Sequence, residues 1–142
     1  MKHIKLFEKI LTSPMVEILD HIYDIGSGGK RFYTYLHTTD EDTCKKVLED
    51  GFEFYIFCLT TDEISNDVDT LNFKLSMRKA YGDCVIVMQF LHFIDDGIDM
   101  AIKEPYYNEE EDLIYTLPSK YVRGFFNKET GEFVDNPTFE LL

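Results

Sequence analysis

A strand that carries a histidine to its own C-terminal end and then turns into a helix is written into Phe32-Tyr33-Thr34-Tyr35-Leu36-His37-Thr38-Thr39 and the residues after it. Aromatic and β-branched side chains fit a pleated, half-buried surface, so residues 32–39 are predicted to be a strand. Thr39 with Asp42 three residues on resembles a capping box, and Cys44, Val47 and Leu48 supply apolar or small positions between Asp40 and Asp50. Gly51 stands where such a helix ends. His37 is therefore placed at a strand-to-helix corner, where side chains face crevices rather than packed interiors, and it is a candidate ligand contact. The competing fate of such a histidine is a satisfied polar residue closing the strand end.

The rest of the chain alternates elements of both kinds. Ile4, Phe7, Ile10 and Leu11 lie at helical spacing, and Ser13-Pro14 looks like the start of a second helix containing Val16, Ile18, Leu19 and Ile22. Gly26-Ser27-Gly28-Gly29 breaks that pattern, so residues 1–29 are expected to be a helical leader with a Gly-rich linker, and residues 30–142 one α+β domain. Phe52 to Leu59 is rich in aromatic and branched residues and is predicted to be a strand or extended stretch. Thr70 to Ala80 favours helix, Tyr81-Gly82-Asp83 stops it, and Cys84 to Phe93 is the clearest strand of the chain. The acidic segment from Asp95 to Asp112 is expected to be a surface loop or lid. Leu113 to Leu117 restores a strand, Pro118 to Tyr121 suits a tight turn, and Val122–Phe126 pairs with Glu132–Val134 as a hairpin.

Length and charge limit the function. At 142 residues, with 44% hydrophobic and 15% aromatic content, the chain can close a core without disulfides or metal. Its formal charge of −13, from 14 basic and 27 acidic residues, repels phosphate backbones and anionic membranes. Generic nucleic-acid binding and membrane association are thereby disfavoured. Cys44, Cys58 and Cys84 are odd in number and embedded in apolar patterns, which suits buried thiols in a reducing compartment. The N-terminal stretch is interrupted by charge before an apolar signal region forms, and no run is long enough to cross a bilayer. A cytoplasmic protein, or one packaged in a virion, is expected.

Several familiar sites fail on spacing. Gly26-Ser27-Gly28-Gly29-Lys30-Arg31 has Asp24 where a phosphate loop needs glycine and Arg31 where it needs serine or threonine. His3, His21, His37 and His92 neither cluster nor pair with cysteines at ligand spacing, so zinc has no support and no metal is expected. No Gly-x-Ser-x-Gly elbow occurs.

What remains is an ordered series: His37-Thr38-Thr39 closing a strand, Leu48-Glu49-Asp50-Gly51-Phe52 after a helix, Ala80-Tyr81-Gly82 before an aliphatic strand, and Glu111-Asp112-Leu113-Ile114 leading to Leu117-Pro118-Ser119-Lys120-Tyr121-Val122-Arg123-Gly124. This series resembles the His-Tyr-Glu branch of the ADP-ribosyltransferase fold over roughly Tyr33 to Pro137. The resemblance implies an α+β fold with a mixed or antiparallel β core and flanking helices. It implies NAD as substrate, with His37 bonding a ribose hydroxyl, Thr38 helping to position the same nucleotide, and Tyr81 near the nicotinamide. Glu111 would be the catalytic carboxylate, with Glu109 and Glu110 as alternatives in the same run; that run would otherwise be a solvated acidic loop. A carboxylate there suits the chemistry, because breaking the nicotinamide glycosidic bond develops an oxocarbenium ion. The departure from the pattern is the acidity around a pyrophosphate, which Lys30, Arg31, Lys74, Arg78 and Lys79 are candidates to offset.

Two other functional classes fit the same residues. One is a non-catalytic interaction protein, of phage or mobile-element origin, that binds a basic protein partner through its acidic surface. The other is a virion component directed into heads by the basic and apolar stretch Lys2 to Ile10, whose ordinary alternative is an amphipathic helix packed on the domain.

Overall fold

The computed structural model describes residues 33–63, 68–90, 97–101 and 103–140. The leader and linker, the candidate cations Lys30 and Arg31, His92 and the continuation of the apolar strand to Phe93 lie outside the described residues. Strand β1 spans Tyr33–Thr39, helix α1 Glu41–Asp50, β2 Phe52–Phe54, the one-turn helix α2 Phe57–Thr60, and β3 Asp62–Glu63. Helix α3 follows at Val68–Met77, then a 3₁₀ turn at Lys79–Tyr81, β4 at Cys84–Phe90 and a 3₁₀ turn at Ile98–Met100. The chain continues through β5 (Tyr106–Tyr107), β6 (Leu113–Leu117), a 3₁₀ turn at Ser119–Tyr121, β7 (Val122–Asn127) and β8 (Phe133–Asp135). The class is α+β. Every described strand pair is antiparallel, in a five-stranded sheet ordered β3-β1-β4-β7-β8 and a three-stranded sheet ordered β2-β6-β5.

β4 is central because its sequence permits burial on both faces: all seven residues from Cys84 to Phe90 are buried. Side chains alternate along a strand, so a continuous apolar run suits a position with cover above and below. On one face Ile86, Met88 and Phe90 join Tyr35 of β1, Phe125 of β7, Cys44 and Val47 of α1, and Phe52, Phe54 and Phe57 in one hydrophobic cluster. On the other face Gln89 donates to the hydroxyl of its register partner Thr34 at 3.2 Å, which satisfies two buried polar groups with each other.

The expected helix after β1 is present, with a different cap. Asp40, not Thr39, is the N-cap, and its carboxylate accepts from the Thr43 N–H at 2.7 Å. Thr39 is held in the strand ladder opposite Cys84, so it cannot also take the capping position. Gly51 closes α1 as expected, at φ 97°, with its N–H on the Val47 carbonyl at 2.9 Å.

The larger correction concerns Phe52–Leu59, expected to be extended throughout. Only Phe52–Phe54 pairs with β6; the chain then turns into α2 at Phe57. Burying the Phe57 ring completely among other aromatics fixes this turn, and the Thr60 and Thr61 hydroxyls bond back to the Phe57 carbonyl at 3.1 and 2.9 Å. Tertiary packing overrides a β-prone composition here, and the turn that buries Phe57 leaves its neighbour Cys58, expected to be buried, exposed, whereas Cys44 and Cys84 are buried as expected. The segment expected to be loop before residue 113 also contains β5, which pairs Tyr106 and Tyr107 with Ile114 and Leu113. The Tyr106 hydroxyl donates to the Glu53 carboxylate across β6, tying the three strands together. Among the described residues no helix is long and apolar enough to cross a membrane.

Candidate functional site

A cleft of about 240 Å³ opens beside the C-terminal end of β1, lined by His37, Thr38, Tyr55, Leu59, Thr60, Asp62, Arg78 and Tyr81. Its origin is the late start of β3. Among the described residues that strand pairs with Tyr35 and Leu36 and with nothing beyond Leu36, because immediately before it the chain coils into α2. The last residues of β1 therefore have β4 on one side and the cleft on the other. Gly82 brings the second wall. At φ 138° it lies so close to β1 that a Cβ would stand 2.3 Å from the Thr39 carbonyl oxygen, an approach open only to glycine. The 3₁₀ turn ending at Tyr81 is thereby pinned against the strand that bears His37.

The His37 ring packs edge-on to Phe52 at 4.8 Å between centroids, and its Nδ1 bonds the carbonyl oxygen of Thr60. Thr60 ends α2, where a carbonyl has no partner within the helix, and the imidazole supplies one. A carbonyl only accepts, so Nδ1 carries the proton. Burial holds the His37 pKa below its ordinary 6.5; the Thr60 carbonyl and Asp62 pull it up and Arg78 pushes it down, without reversing the effect of burial. At neutral pH the ring is neutral, and Nε2 presents a lone pair.

This arrangement sets a pH dependence. The unfolded chain takes up a proton on His37 near pH 6.5 and the folded chain at lower pH. Stability from the neutral ring is complete above about pH 6.5 and is lost as pH falls from there through the folded-state value. An NMR titration of His37 is expected to show a midpoint below 6.5, and His37→Gln is expected to flatten the acid limb of unfolding free energy against pH. A midpoint at or above 6.5 would contradict the buried, Thr60-bonded tautomer.

Thr38 lies on the opposite side of the strand from His37. It is only 6% exposed, and its hydroxyl has no hydrogen-bond partner among the described residues. A buried hydroxyl left unpaired costs on the order of 1–3 kcal/mol, so one that lines a cleft marks a place where a ligand group adds more than it displaces. Arg78, between α3 and the 3₁₀ turn, faces Asp62 with Nε 3.4 Å from Oδ2 and Nη2 3.5 Å from Oδ1. Tyr55, Leu59 and Tyr81 are exposed and form the apolar part of the lining.

Of the residues singled out in the sequence, His37, Thr38 and Tyr81 share this cleft and Glu111 is not among its lining residues. Glu111 sits in the loop between β5 and β6, exposed, at φ 64°. It is the one non-glycine residue at positive φ among the described residues, which separates it from Glu109 and Glu110. Asn108 builds that loop: its carbonyl accepts from the Glu111 N–H at 3.1 Å and its side-chain oxygen from the N–H groups of Glu110 and Asp112 at 2.9 Å each. Glycine or asparagine would hold this conformation at lower cost, so a glutamate there marks a position to test for function. Because β2 runs antiparallel to β6, the end of β2 that leads to Tyr55 is the end of β6 that follows Glu111. The loop and the Tyr55 wall thus share one end of the smaller sheet.

Sequence reasoning missed Tyr55, Leu59, Thr60 and Asp62 as lining residues, and took Arg78 only as one of several charge-offsetting candidates. Thr60 contributes a backbone carbonyl, for which no side-chain pattern exists. Compared with protein-family models, with curated proteins and with solved structures, the chain matches none.

Proposed function

We propose that the chain binds NAD in this cleft and either transfers ADP-ribose to a macromolecular acceptor or hydrolyses NAD, on an ADP-ribosyltransferase-like fold. The observation that carries the reading is the meeting of His37, Thr38 and Tyr81 in one cleft, although Tyr81 lies far from the other two in sequence. The neutral His37 offers Nε2 as acceptor for a ribose hydroxyl, and the unpaired Thr38 hydroxyl offers a second polar contact. Tyr81 supplies an exposed aromatic face for the nicotinamide ring. The cleft is smaller than the roughly 300–1,000 Å³ of pockets that enclose drug-sized ligands, so it takes part of the dinucleotide and leaves the rest along the surface.

In the reaction the bond between C1′ of the ribose and the nicotinamide nitrogen breaks, and its electron pair leaves with the ring, which loses its positive charge. The oxocarbenium ion that develops is stabilised by the Glu111 carboxylate, which also orients the ribose 2′-hydroxyl. An acceptor group or water then bonds to C1′ and gives up its proton. The protein acts in the cytoplasm or from within a virion.

A second reading is favoured by one observation, the position of Glu111 outside the cleft lining. In it the chain keeps a nucleotide cleft without turnover and binds a basic protein partner through its −13 charge. Calorimetric titration with NAD and a non-hydrolysable analogue, followed by a nicotinamide-release assay, separates the two. The enzyme reading expects saturable binding of both and release of nicotinamide from NAD; binding without release supports the second reading, and neither binding nor release rejects the NAD cleft.

A further inference from the structure

We infer that the Asp62–Arg78 pair is a built-in competitor for an anionic ligand: a phosphate group entering the cleft takes the Arg78 guanidinium away from Asp62. This rests on the nucleotide reading only for the identity of the phosphate carrier; the exchange itself follows from the cleft geometry.

Among the described residues Arg78 and Asp62 are the only two charged side chains lining the cleft besides the titratable His37, and they face each other. The contact is loose. Both guanidinium-to-carboxylate distances, 3.4 and 3.5 Å, exceed the roughly 2.7–2.9 Å of a tight charge-assisted bond. Nη1 of Arg78 has no partner among the described residues, so the fork is only partly used. The two partners also differ in depth: the Asp62 side chain is 15% exposed and that of Arg78 is 42% exposed. Arg78 thus keeps access to solvent and to an incoming ligand while Asp62 holds it from below.

The backbone at Arg78 is fixed, which confines any exchange to the side chain. Its N–H bonds the Leu75 carbonyl at 3.0 Å, and its carbonyl accepts from Tyr81 at 2.9 Å. His37 lines the same cleft as Asp62 and Arg78, so a phosphate drawn to Arg78 shares that cleft with the imidazole. The −13 charge of the chain repels anions at long range, so what draws a phosphate into the cleft is the local charge of Arg78. Held by Asp62, it selects ligands whose phosphate outcompetes a carboxylate and whose remaining groups meet His37 and Thr38.

The test is calorimetric titration of wild type, Asp62→Asn and Arg78→Gln with inorganic pyrophosphate, ADP-ribose, NAD and adenosine, with thermal melts to establish folding. Asp62→Asn is expected to bind pyrophosphate and ADP-ribose about three- to tenfold more tightly than wild type, and Arg78→Gln about tenfold or more weakly. Adenosine, which lacks a phosphate, is expected to bind all three alike. Asp62→Ser replaces Asp62→Asn if the latter does not fold. Pyrophosphate binding that is absent in wild type and Asp62→Asn, unchanged in Arg78→Gln, or no tighter in Asp62→Asn overturns the inference. If pyrophosphate follows the expected order while NAD and ADP-ribose do not bind, the exchange stands and the nucleotide reading falls. If both nucleotides bind with equal affinity in all three proteins, the nucleotide reading stands and the exchange falls.

Discussion

Glu111→Gln is expected to slow nicotinamide release by about 10²–10³-fold, the range found when one group stabilising transition-state charge is removed. NAD affinity is expected to change by no more than about threefold, because the glutamine oxygen still accepts from the ribose 2′-hydroxyl while the positive charge that needs the carboxylate develops only as the glycosidic bond breaks. The melting temperature should not move, since Glu111 is exposed and the loop is held by Asn108 through backbone N–H groups that glutamine leaves intact. The matched variants Glu109→Gln and Glu110→Gln make the measurement specific. They carry the same charge change in the same loop at ordinary φ, and are expected to retain turnover within about twofold. Full activity in Glu111→Gln would remove the carboxylate from the mechanism. Loss confined to Glu110→Gln would move the role to the neighbouring residue.

The parts of this architecture that sequence made legible are those whose pattern is periodic or punctuated. Cys84 to Phe90 is apolar at every position except Gln89, and it became the strand with burial on both faces. Asp40 to Gly51 carries its own cap residues and stop signal, and it is α1, with the cap shifted by one residue because Thr39 belongs to the ladder. The hairpin of β7 and β8 was legible from two apolar runs around a polar turn closed by Gly131. The site was legible only where a side chain sits at an element boundary, as His37, Thr38 and Tyr81 do.

What escaped has a common cause. The cleft exists because α2 coils where the composition asks for strand and β3 begins only at Asp62, and both outcomes depend on where Phe57 finds its cover. Asp62 reads in the sequence as a turn residue and Arg78 as one of several cations. Their pairing across 16 positions follows from the approach of β3 and the end of α3, for which neither segment carries a local signal. The unpaired Thr38 hydroxyl and the positive φ of Glu111 are properties of a folded backbone and are invisible before folding.

Phe57 makes that dependence measurable. Its ring is fully buried and among the described residues meets Tyr35 at 5.2 Å, Phe54 at 5.5 Å, and Phe52 and Phe90 at 6.3 Å each, with interplanar angles between 71° and 87°. These edge-to-face contacts join β1 and β4 of the larger sheet to β2 of the smaller one. Phe57→Ala is expected to lose about 3–5 kcal/mol of unfolding free energy, through lost burial and the cavity left among rings that cannot collapse onto it. Phe57→Leu keeps most of the apolar volume and is expected to lose less. Urea denaturation checks both, and a loss below about 1 kcal/mol for alanine would mean that the two sheets do not depend on this ring. The same variant reports on the site, because the Phe57 carbonyl accepts from Thr60 and Thr61 and the Thr60 carbonyl holds His37. As α2 loosens, water reaches the imidazole, and since burial is what depresses its pKa, the His37 titration midpoint is expected to rise toward 6.5. A core substitution that shifts a cleft histidine in that direction would tie the packing of one phenylalanine to the protonation state on which the candidate site depends.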